Sequence, residues 1–264
     1  MAFKTLEKYS GVFKIELIDF FQSKWDVIFG FLFLGVIIFV YYQLWGLGFA
    51  QKSIPGYSLA KLVFYVAIAE SVTISTVRIY KIIDDDLKKG LLTNYLSKPV
   101  NYVFFQFSRA LGKSVITLFI NLALTLAFCF LLFGFFPFSL LEFAAVIFAS
   151  ILCLCLLVLA GVFFGLLGFY TEDSSAFYFV YSKSIYIFGG LVFPIDLYPQ
   201  WLKAIADFLP FKWAVFAAGK LAVSFSTGFL IEVLLMQLFW IAVFAGLCLF
   251  VFSRISKKVF INGG

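Results

Sequence analysis

The chain of 264 residues has no histidine, and only 13% of its residues are charged. The absence of histidine excludes metal sites and acid–base chemistry that use an imidazole. The scarcity of charge excludes an ordinary soluble domain, in which about 25% of residues are charged. Hydrophobic residues make up 64% of the chain, and aromatic residues make up 22%. One soluble globule cannot hide so much apolar surface, so a lipid bilayer must be the solvent for most of it.

Cysteine is also scarce, and its placement predicts neither a disulfide framework nor a metal site. All four cysteines lie inside apolar runs, and no two of them form a CxxC pair. We interpret them as small buried hydrophobic residues. They are Cys129, Cys153, Cys155 and Cys248.

Six stretches are apolar enough, and close enough to the required length of about 20 residues, to cross a bilayer as helices. They run from Trp25 to Trp45, Ser58 to Arg78, Val103 to Phe133, Leu140 to Tyr170, Phe177 to Pro194 and Gly228 to Ser253. The third and fourth are long and must tilt, kink or extend past the bilayer. The predicted fold class is an all-α membrane protein, with six transmembrane helices in a single transmembrane domain over residues 1–264.

The basic residues predict the orientation of these helices. If the N-terminus lies in the cytoplasm, only five of the 20 Lys and Arg residues fall on the outer side, namely Lys52, Lys61, Lys203, Lys212 and Lys220. This bias predicts a multi-pass protein of the cell (inner) membrane with both termini in the cytoplasm. The same distribution accounts for the net charge of +6 without a nucleic-acid partner.

The first 24 residues predict an amphipathic helix that lies on the inner surface of the membrane. Large apolar side chains recur there at helical spacing, with most of the charged residues off that stripe. Membrane lipids are the expected partner of this face, and a simply solvated helix is the alternative. The stripe consists of Leu6, Tyr9, Phe13, Leu17 and Phe20.

A charged stretch, IIDDDLKKGLLTNYLSKPVNY, interrupts the apolar pattern over residues 82–102. Asp84, Asp85 and Asp86 predict a helix N-terminus, where carboxylates meet unpaired N–H groups and the positive end of the helix dipole. A metal site made by the same three aspartates is a weaker alternative, because adjacent carboxylates on a helix point in different directions.

Apolar residues then follow at four-residue spacing, and the Lys98-Pro99 pair predicts the end of the helix. Leu87, Leu91 and Tyr95 form the resulting apolar face. A short cytoplasmic helix with such a face is typical of a surface that binds a protein partner. The alternative is a connecting loop that packs on its own bundle.

Prolines interrupt a second stretch, between the fifth and sixth predicted spans. Pro194, Pro199 and Pro210 break residues 189–221 into pieces too short to cross the membrane. We predict a re-entrant helical hairpin over residues 195–222 that enters the outer leaflet, with a plain outer loop as the alternative. The apolar face of its first helix consists of Trp201, Leu202, Ile205 and Phe208.

One acidic residue, Glu70, lies near the middle of a predicted span. Ser71, Ser75 and Arg78 follow it as a polar stripe. A charged group at that depth is costly and is often functional. The stripe is predicted to line a translocation path or a subunit contact, and a packing role for Glu70 is the alternative. Gly161 and Gly165 form a GxxxG pair, which favours close helix packing within the chain over a dimer face.

Two sequence segments resemble the membrane subunit, or permease, of type-2 ATP-binding-cassette exporters. The first is R-I-Y-K at Arg78–Lys81, followed by D-L-K-K-G-L-L-T-N-Y-L-S-K-P-V from Asp86 to Val100. The second is G-G-L-V-F-P-I-D-L-Y-P-Q-W-L at Gly189–Leu202, followed by F-L-P-F at Phe208–Phe211. The resemblance covers the whole chain. It implies an interfacial helix, six spans, a cytoplasmic coupling helix between spans 2 and 3, and a re-entrant hairpin between spans 5 and 6.

The resemblance further implies that residues 84–97 fit a groove on a separate cytoplasmic ATPase. The chain would then be a non-catalytic subunit with no cofactor of its own, because ATP binds to the partner. A second permease, either a copy of this chain or a paralogue, would complete the exporter of a hydrophobic or amphipathic substrate. A P-loop needs GxxxxGK[ST], and the nearest match, Gly112-Lys113-Ser114, has Phe107 where the first glycine should stand.

Two other functions remain alternatives at this stage. A polytopic membrane enzyme that acts on lipids needs clustered nucleophiles or carboxylates at one membrane face. A secondary transporter often shows internal repeats and several ionisable groups at the midplane of the membrane. The sequence favours neither of these patterns.

Overall fold

The computed structural model describes residues 2–20, 24–51, 54, 56–171 and 173–262, and the regular secondary structure in these ranges is helical. A 3₁₀ turn at Ile195–Leu197 and a π-helical turn at Lys212–Phe216 separate some of the helices. The helices are α1 (Ala2–Phe20), α2 (Lys24–Gln51), α3 (Leu59–Ser75), α4 (Ile79–Lys88), α5 (Leu92–Leu96), α6 (Tyr102–Phe133), α7 (Leu140–Thr171), α8 (Ser175–Phe188), α9 (Gln200–Phe208), α10 (Ala217–Val223) and α11 (Thr227–Asn262).

In the described part of the chain, five stretches are helical, long and apolar enough to cross a membrane. The chain is therefore a multi-pass membrane protein, and five of the six predicted spans are confirmed in their approximate positions. The five stretches are Leu32–Ala50, Leu59–Lys88, Tyr102–Phe133, Leu140–Thr171 and Thr227–Lys257.

The fifth predicted span, Phe177–Pro194, is not among these stretches. Its helix, α8, has 14 residues, which corresponds to about 21 Å and is shorter than a bilayer core of about 30 Å. The helix ends at Phe188, and Gly190 then adopts a φ of +66°. A Cβ atom on Gly190 would lie 2.8 Å from Cγ1 of Ile195, so glycine is required for both the turn and the close packing.

The bundle has two ends that differ in what caps them. The "α4 end" holds α4 and α5 together with α1, the start of α6 and the connection between α7 and α8. The "α9 end" holds α9 and the connection between α2 and α3. The central helix is α7, which packs against α3, α4, α6, α8, α10 and α11.

Helix α1 lies against the first half of α6. A Cβ atom on Gly112 would be 2.7 Å from the backbone oxygen of Phe13, so this glycine lets the two helices approach closely. Glu16 also pairs with Arg109 at 3.0 Å. The predicted N-terminal helix is therefore present. The side chains of Leu6, Leu17 and Phe20, three members of its predicted apolar stripe, lie outside the described residues.

The predicted re-entrant segment, residues 195–222, is a series of short helices. Its first helix, α9, lies at the surface, whereas its second half is buried from Phe211 to Leu221 apart from Lys212 and Lys220. Helix α10 packs against α3 and α7. A Cβ atom on Gly219 would lie 2.7 Å from the ring of Tyr65, and this contact brings α10 close to α3.

Candidate functional site

The polar stripe predicted on α3 divides into two parts that face different neighbours. Ser71 and Ser75 face α6, where the Ser71 hydroxyl lies 3.0 Å from that of Thr125 and the Asn121 amide donates to Ser75 at 2.9 Å. Both serines are buried. Buried polar groups of this kind need partners, and these bonds join α3 to α6. In this structure Ser71 and Ser75 contribute to the packing of α3 on α6, and their predicted role in a translocation path or subunit contact stays a prediction.

Helix α3 ends at Ser75, and hydroxyl groups near this end bond to backbone carbonyls one turn earlier. Ser75 donates to the Ser71 carbonyl at 2.5 Å, and Thr76 donates to the Val72 carbonyl at 3.1 Å. Bonds of this type often bend helices. The backbone N–H of Val77 then donates to Ser114 at 3.0 Å instead of continuing the helix. This break directs the chain into α4.

The other part of the stripe, Glu70 and Arg78, lines a cavity between α2, α3, α7 and α8. The cavity has a volume of about 360 Å³, which is at the lower end of the range of about 300–1,000 Å³ for small-molecule sites. Tyr178, Tyr181 and Tyr186 of α8 contribute much of its wall. The Tyr181 hydroxyl donates to the Leu157 carbonyl at 2.8 Å, which holds α8 against α7 beside the cavity.

Glu70 is buried, with 6% of its surface exposed. Among the described residues, no cation lies within ion-pair distance of its carboxylate and no group donates a hydrogen bond to it. Its electrostatic neighbours there are the hydroxyl groups of Tyr41 and Tyr186. A carboxyl group this deep in a membrane protein is costly unless it is paired or protonated. Glu70 is thus the chemically distinctive group of the cavity.

Helix α4 packs on α7 through the GxxxG pair. A Cβ atom on Gly161 would lie 2.9 Å from Cγ2 of Ile79, and one on Gly165 would lie 3.1 Å from Cδ1 of Ile83. Ile79 and Ile83 are both fully buried. The glycine pair therefore serves packing within the chain, as the sequence favoured.

The prediction that the three aspartates begin a helix is wrong. The helix begins at Ile79, because the contacts of α4 with α7 start there, and the aspartates lie in its second half. Asp84 accepts hydrogen bonds from the backbone N–H and the hydroxyl of Ser174, at 3.1 and 3.0 Å. It also pairs with Lys88 at 2.5 Å. This carboxylate ties α4 to the start of α8.

Asp86 makes the most buried of these contacts. The Tyr102 hydroxyl donates to it at 2.9 Å and the Gln106 amide at 2.7 Å. Only 5% of its surface is exposed, and the two bonds join α4 to α6. Asp85, by contrast, is exposed. The described residues contain no group of three acidic or cysteine side chains that could hold a metal ion, so the metal alternative gains no support.

The single helix predicted over residues 84–97 is also wrong, because the chain turns at Gly90, which has a φ of +63°. Leu91 lies in this turn, before α5. The ring of Tyr95 packs inside the chain, 5.1 Å from the ring of Tyr102 and 5.4 Å from that of Phe105. The predicted apolar face thus points largely toward the bundle, and Leu87 is only partly exposed.

What this segment presents to its surroundings is polar. We define the "α4–α5 outer surface" by six of its exposed polar residues, Lys88, Lys89, Thr93, Asn94, Ser97 and Lys98. Such groups are easily solvated, and they can also form the rim of a protein interface.

At the α9 end, an ion pair joins parts of the chain that are far apart in sequence. Lys220 of α10 pairs with Asp196 at 2.5 Å, and the Tyr57 hydroxyl donates to the same carboxylate at 2.8 Å. Burial alone would raise the pKa of Asp196, but the bonds from Lys220 and Tyr57 hold it below its usual value. Burial and the bond to Asp196 raise the pKa of Tyr57, which keeps its hydroxyl protonated as a donor.

Three of the four residues of the apolar face predicted for α9 are exposed, whereas Leu202 is half-buried. Trp201, Ile205 and Phe208 are exposed over 66%, 45% and 79% of their surfaces, respectively. Their spacing of four and three residues places them along one side of the helix. Large exposed apolar patches mark contacts with lipid or with other proteins.

No protein-family model and no curated protein sequence matches the chain.

Proposed function

We propose that the chain is the permease subunit of an ATP-driven exporter and that the α4–α5 outer surface binds a separate cytoplasmic ATPase. The observation that supports this proposal best is the attachment of α4. Ile79 and Ile83 pack on α7, Asp84 binds the start of α8, and Asp86 binds α6. A segment that is held so firmly, and is polar on its outer side, suits the transmission of force from a partner.

The attachment of α4 would allow a movement of the ATPase to reach the cavity. Because α4 is joined to α7 and α8, a movement of the α4–α5 outer surface is passed to two of the helices that line the cavity around Glu70. Packed interfaces transmit displacement because they are close-packed and resist compression. ATP binding and hydrolysis on the partner would then change the exposure of the cavity.

The orientation follows from the charges. Lys81, Lys88, Lys89 and Lys98 lie at the α4 end, which the bias of basic residues assigns to the cytoplasm. Two such permeases, identical or paralogous, and two ATPases would form the exporter in the cell (inner) membrane. The buried α10 would belong to the re-entrant region, residues 195–222, on the outer side.

Co-purification from native membranes tests the proposal. A tagged chain should bring an ATPase with it. Lys89→Glu combined with Asn94→Trp changes the charge and shape of the α4–α5 outer surface, and should reduce the bound ATPase by on the order of tenfold. The matched control, Gln200→Trp with Lys203→Glu, makes the same kinds of change on α9 and should retain the ATPase. Absence of any ATPase from the unaltered chain would contradict the proposal.

A further inference from the structure

We infer that the cavity between α2, α3, α7 and α8 binds an amphipathic organic cation, with Glu70 as the counter-charge and the α8 tyrosines as an aromatic wall. This inference rests on the proposed function in one respect: if the chain is an exporter, the ligand of this cavity belongs to the class of its substrates. The binding site itself depends on the cavity alone.

The carboxyl group of Glu70 determines which sign of charge the ligand should carry. Glu70 lines the cavity while nine-tenths of its surface is buried, and no cation of the described chain pairs with it. A neutral ligand would leave this group unpaired, and an anionic ligand would be repelled by its ionised form. A cationic ligand stabilises the ionised carboxylate, which otherwise has to be protonated to reduce the cost of its burial.

The rest of the lining suits an organic cation better than a metal ion. Tyr178, Tyr181 and Tyr186 contribute aromatic rings to the lining, and Phe33 and Ile74 add apolar surface. Aromatic faces attract organic cations, whereas a metal ion needs several oxygen, nitrogen or sulfur ligands in fixed geometry. The described residues contain no group of three acidic or cysteine side chains that could hold a metal.

Arg78 also lines the cavity, but its position differs from that of Glu70. It lies beyond the end of α3 and is exposed. An exposed guanidinium is hydrated and screened by salt, so it repels a cation at Glu70 only weakly. The ligand therefore sits with its charged group toward Glu70 and its apolar part against α8.

Binding of tetraphenylphosphonium to the full-length chain in lipid nanodiscs tests this inference. We expect saturable binding that Glu70→Gln weakens by about tenfold or more and that Tyr186→Leu weakens by about threefold. Ser75→Ala, which alters a serine bonded to α6 instead, is the matched control and should bind as the unaltered chain does. Glu70→Gln should not weaken binding of the anion tetraphenylborate.

The outcomes separate this inference from the proposed function, because the binding assay needs no ATPase. No saturable phosphonium binding, or equal binding by the Glu70→Gln chain, overturns the cation site even when the ATPase co-purifies. Should the Glu70→Gln chain fail to give a single monodisperse species, Tyr186→Leu decides, and unchanged affinity in that variant overturns the inference. Cation binding without a co-purifying ATPase supports the site and counts against the exporter.

Discussion

The two segments that interrupt the apolar spans turn opposite faces outward. The α4–α5 segment buries Ile83, Asp86 and Leu92 and exposes charged and polar residues. Helix α9 exposes Trp201 and Phe208. Both segments are short amphipathic helices by sequence, so amphipathicity alone does not determine what each one contacts. The two segments differ because the rest of the bundle provides different packing and hydrogen-bond partners at each end.

At the α4 end the bundle offers buried partners for polar groups. Tyr102, Gln106 and Ser174 meet the carboxylates of α4, and the glycines of α7 leave room for its isoleucines. The segment is therefore fastened through both its polar and its apolar residues. At the α9 end, the aromatic face of α9 lacks such a surface, which is the pattern of a helix that lies in a lipid interface.

The largest expected effect on stability comes from removing the hydrogen bonds that hold α4 against α6. Asp86→Ala leaves the Tyr102 and Gln106 donors without their acceptor, and should lower the free energy of unfolding by about 3 kcal/mol. Unfolding of the detergent-solubilised chain, followed by a tryptophan signal, measures this change. Asp85→Ala, at the exposed neighbour, should change stability by less than about 0.5 kcal/mol. Equal effects of the two variants would refute the role assigned to Asp86.

The second prediction tests the packing of α4 on α7. Gly165→Leu places a side chain where Ile83 and Tyr80 already lie, and should cost about 2 kcal/mol through overpacking. The matched control is Gly35→Ala on α2, because a Cβ atom there meets nothing within 4 Å. The control should be neutral or slightly stabilising, since alanine favours helix over glycine. Thermal unfolding of both variants compares them directly.

The success of the sequence-based prediction differs between the spans and the α4 end. The long helices were predicted because runs of apolar residues report membrane burial directly. The structure adds that the side chain of Asn101 caps the start of α6, which was not predicted from the sequence. The start of α4 was misplaced because it depends on Gly161 and Gly165, more than 70 positions away in the chain. Local propensity placed the aspartates at a helix N-terminus, and tertiary contacts overrode it.

In the candidate sites, too, contacts between residues far apart in the chain were not predicted. Glu70 was found because a lone carboxylate in an apolar run is conspicuous. The division of the α3 stripe was not predicted, since the sequence gives no sign that Ser71 and Ser75 bond to Thr125 and Asn121 of α6. The bonds of Asp196 with Tyr57 and Lys220 were missed for the same reason, because no spacing rule connects residues so far apart.

The third prediction sharpens the contrast between the two outer faces. In a chain without its four native cysteines, Phe208→Cys should react with a maleimide on the order of tenfold more slowly than Gln200→Cys on the same helix. The reason is that a thiol in lipid does not ionise to the reactive thiolate. An impermeant maleimide added to intact cells should label Gln200→Cys and leave Asn94→Cys unlabelled. Fast labelling of position 208 would place α9 in water.

The smallest expected effect concerns the ion pair at the α9 end. The pKa of Asp196 is lowered in the folded chain, so its contribution to stability is present above the usual aspartate pKa of about 4 and is lost as the pH falls through the lower folded value. Because the pair is partly exposed, Lys220→Gln should cost about 0.5 kcal/mol at neutral pH. This cost should shrink on acidification, as unfolding measured at several pH values can show. A cost that grows at low pH would contradict the assignment.

Photo-crosslinking in living cells tests the central claim most directly. A benzophenone amino acid at Asn94, on the α4–α5 outer surface, should give a covalent adduct with a cytoplasmic ATPase that mass spectrometry identifies. The same amino acid at Phe208 should give no adduct with that ATPase. An ATPase adduct at position 94 alone is the result that the proposed function predicts. If the chain inserts normally but position 94 gives no adduct with an ATPase, the proposed function is contradicted.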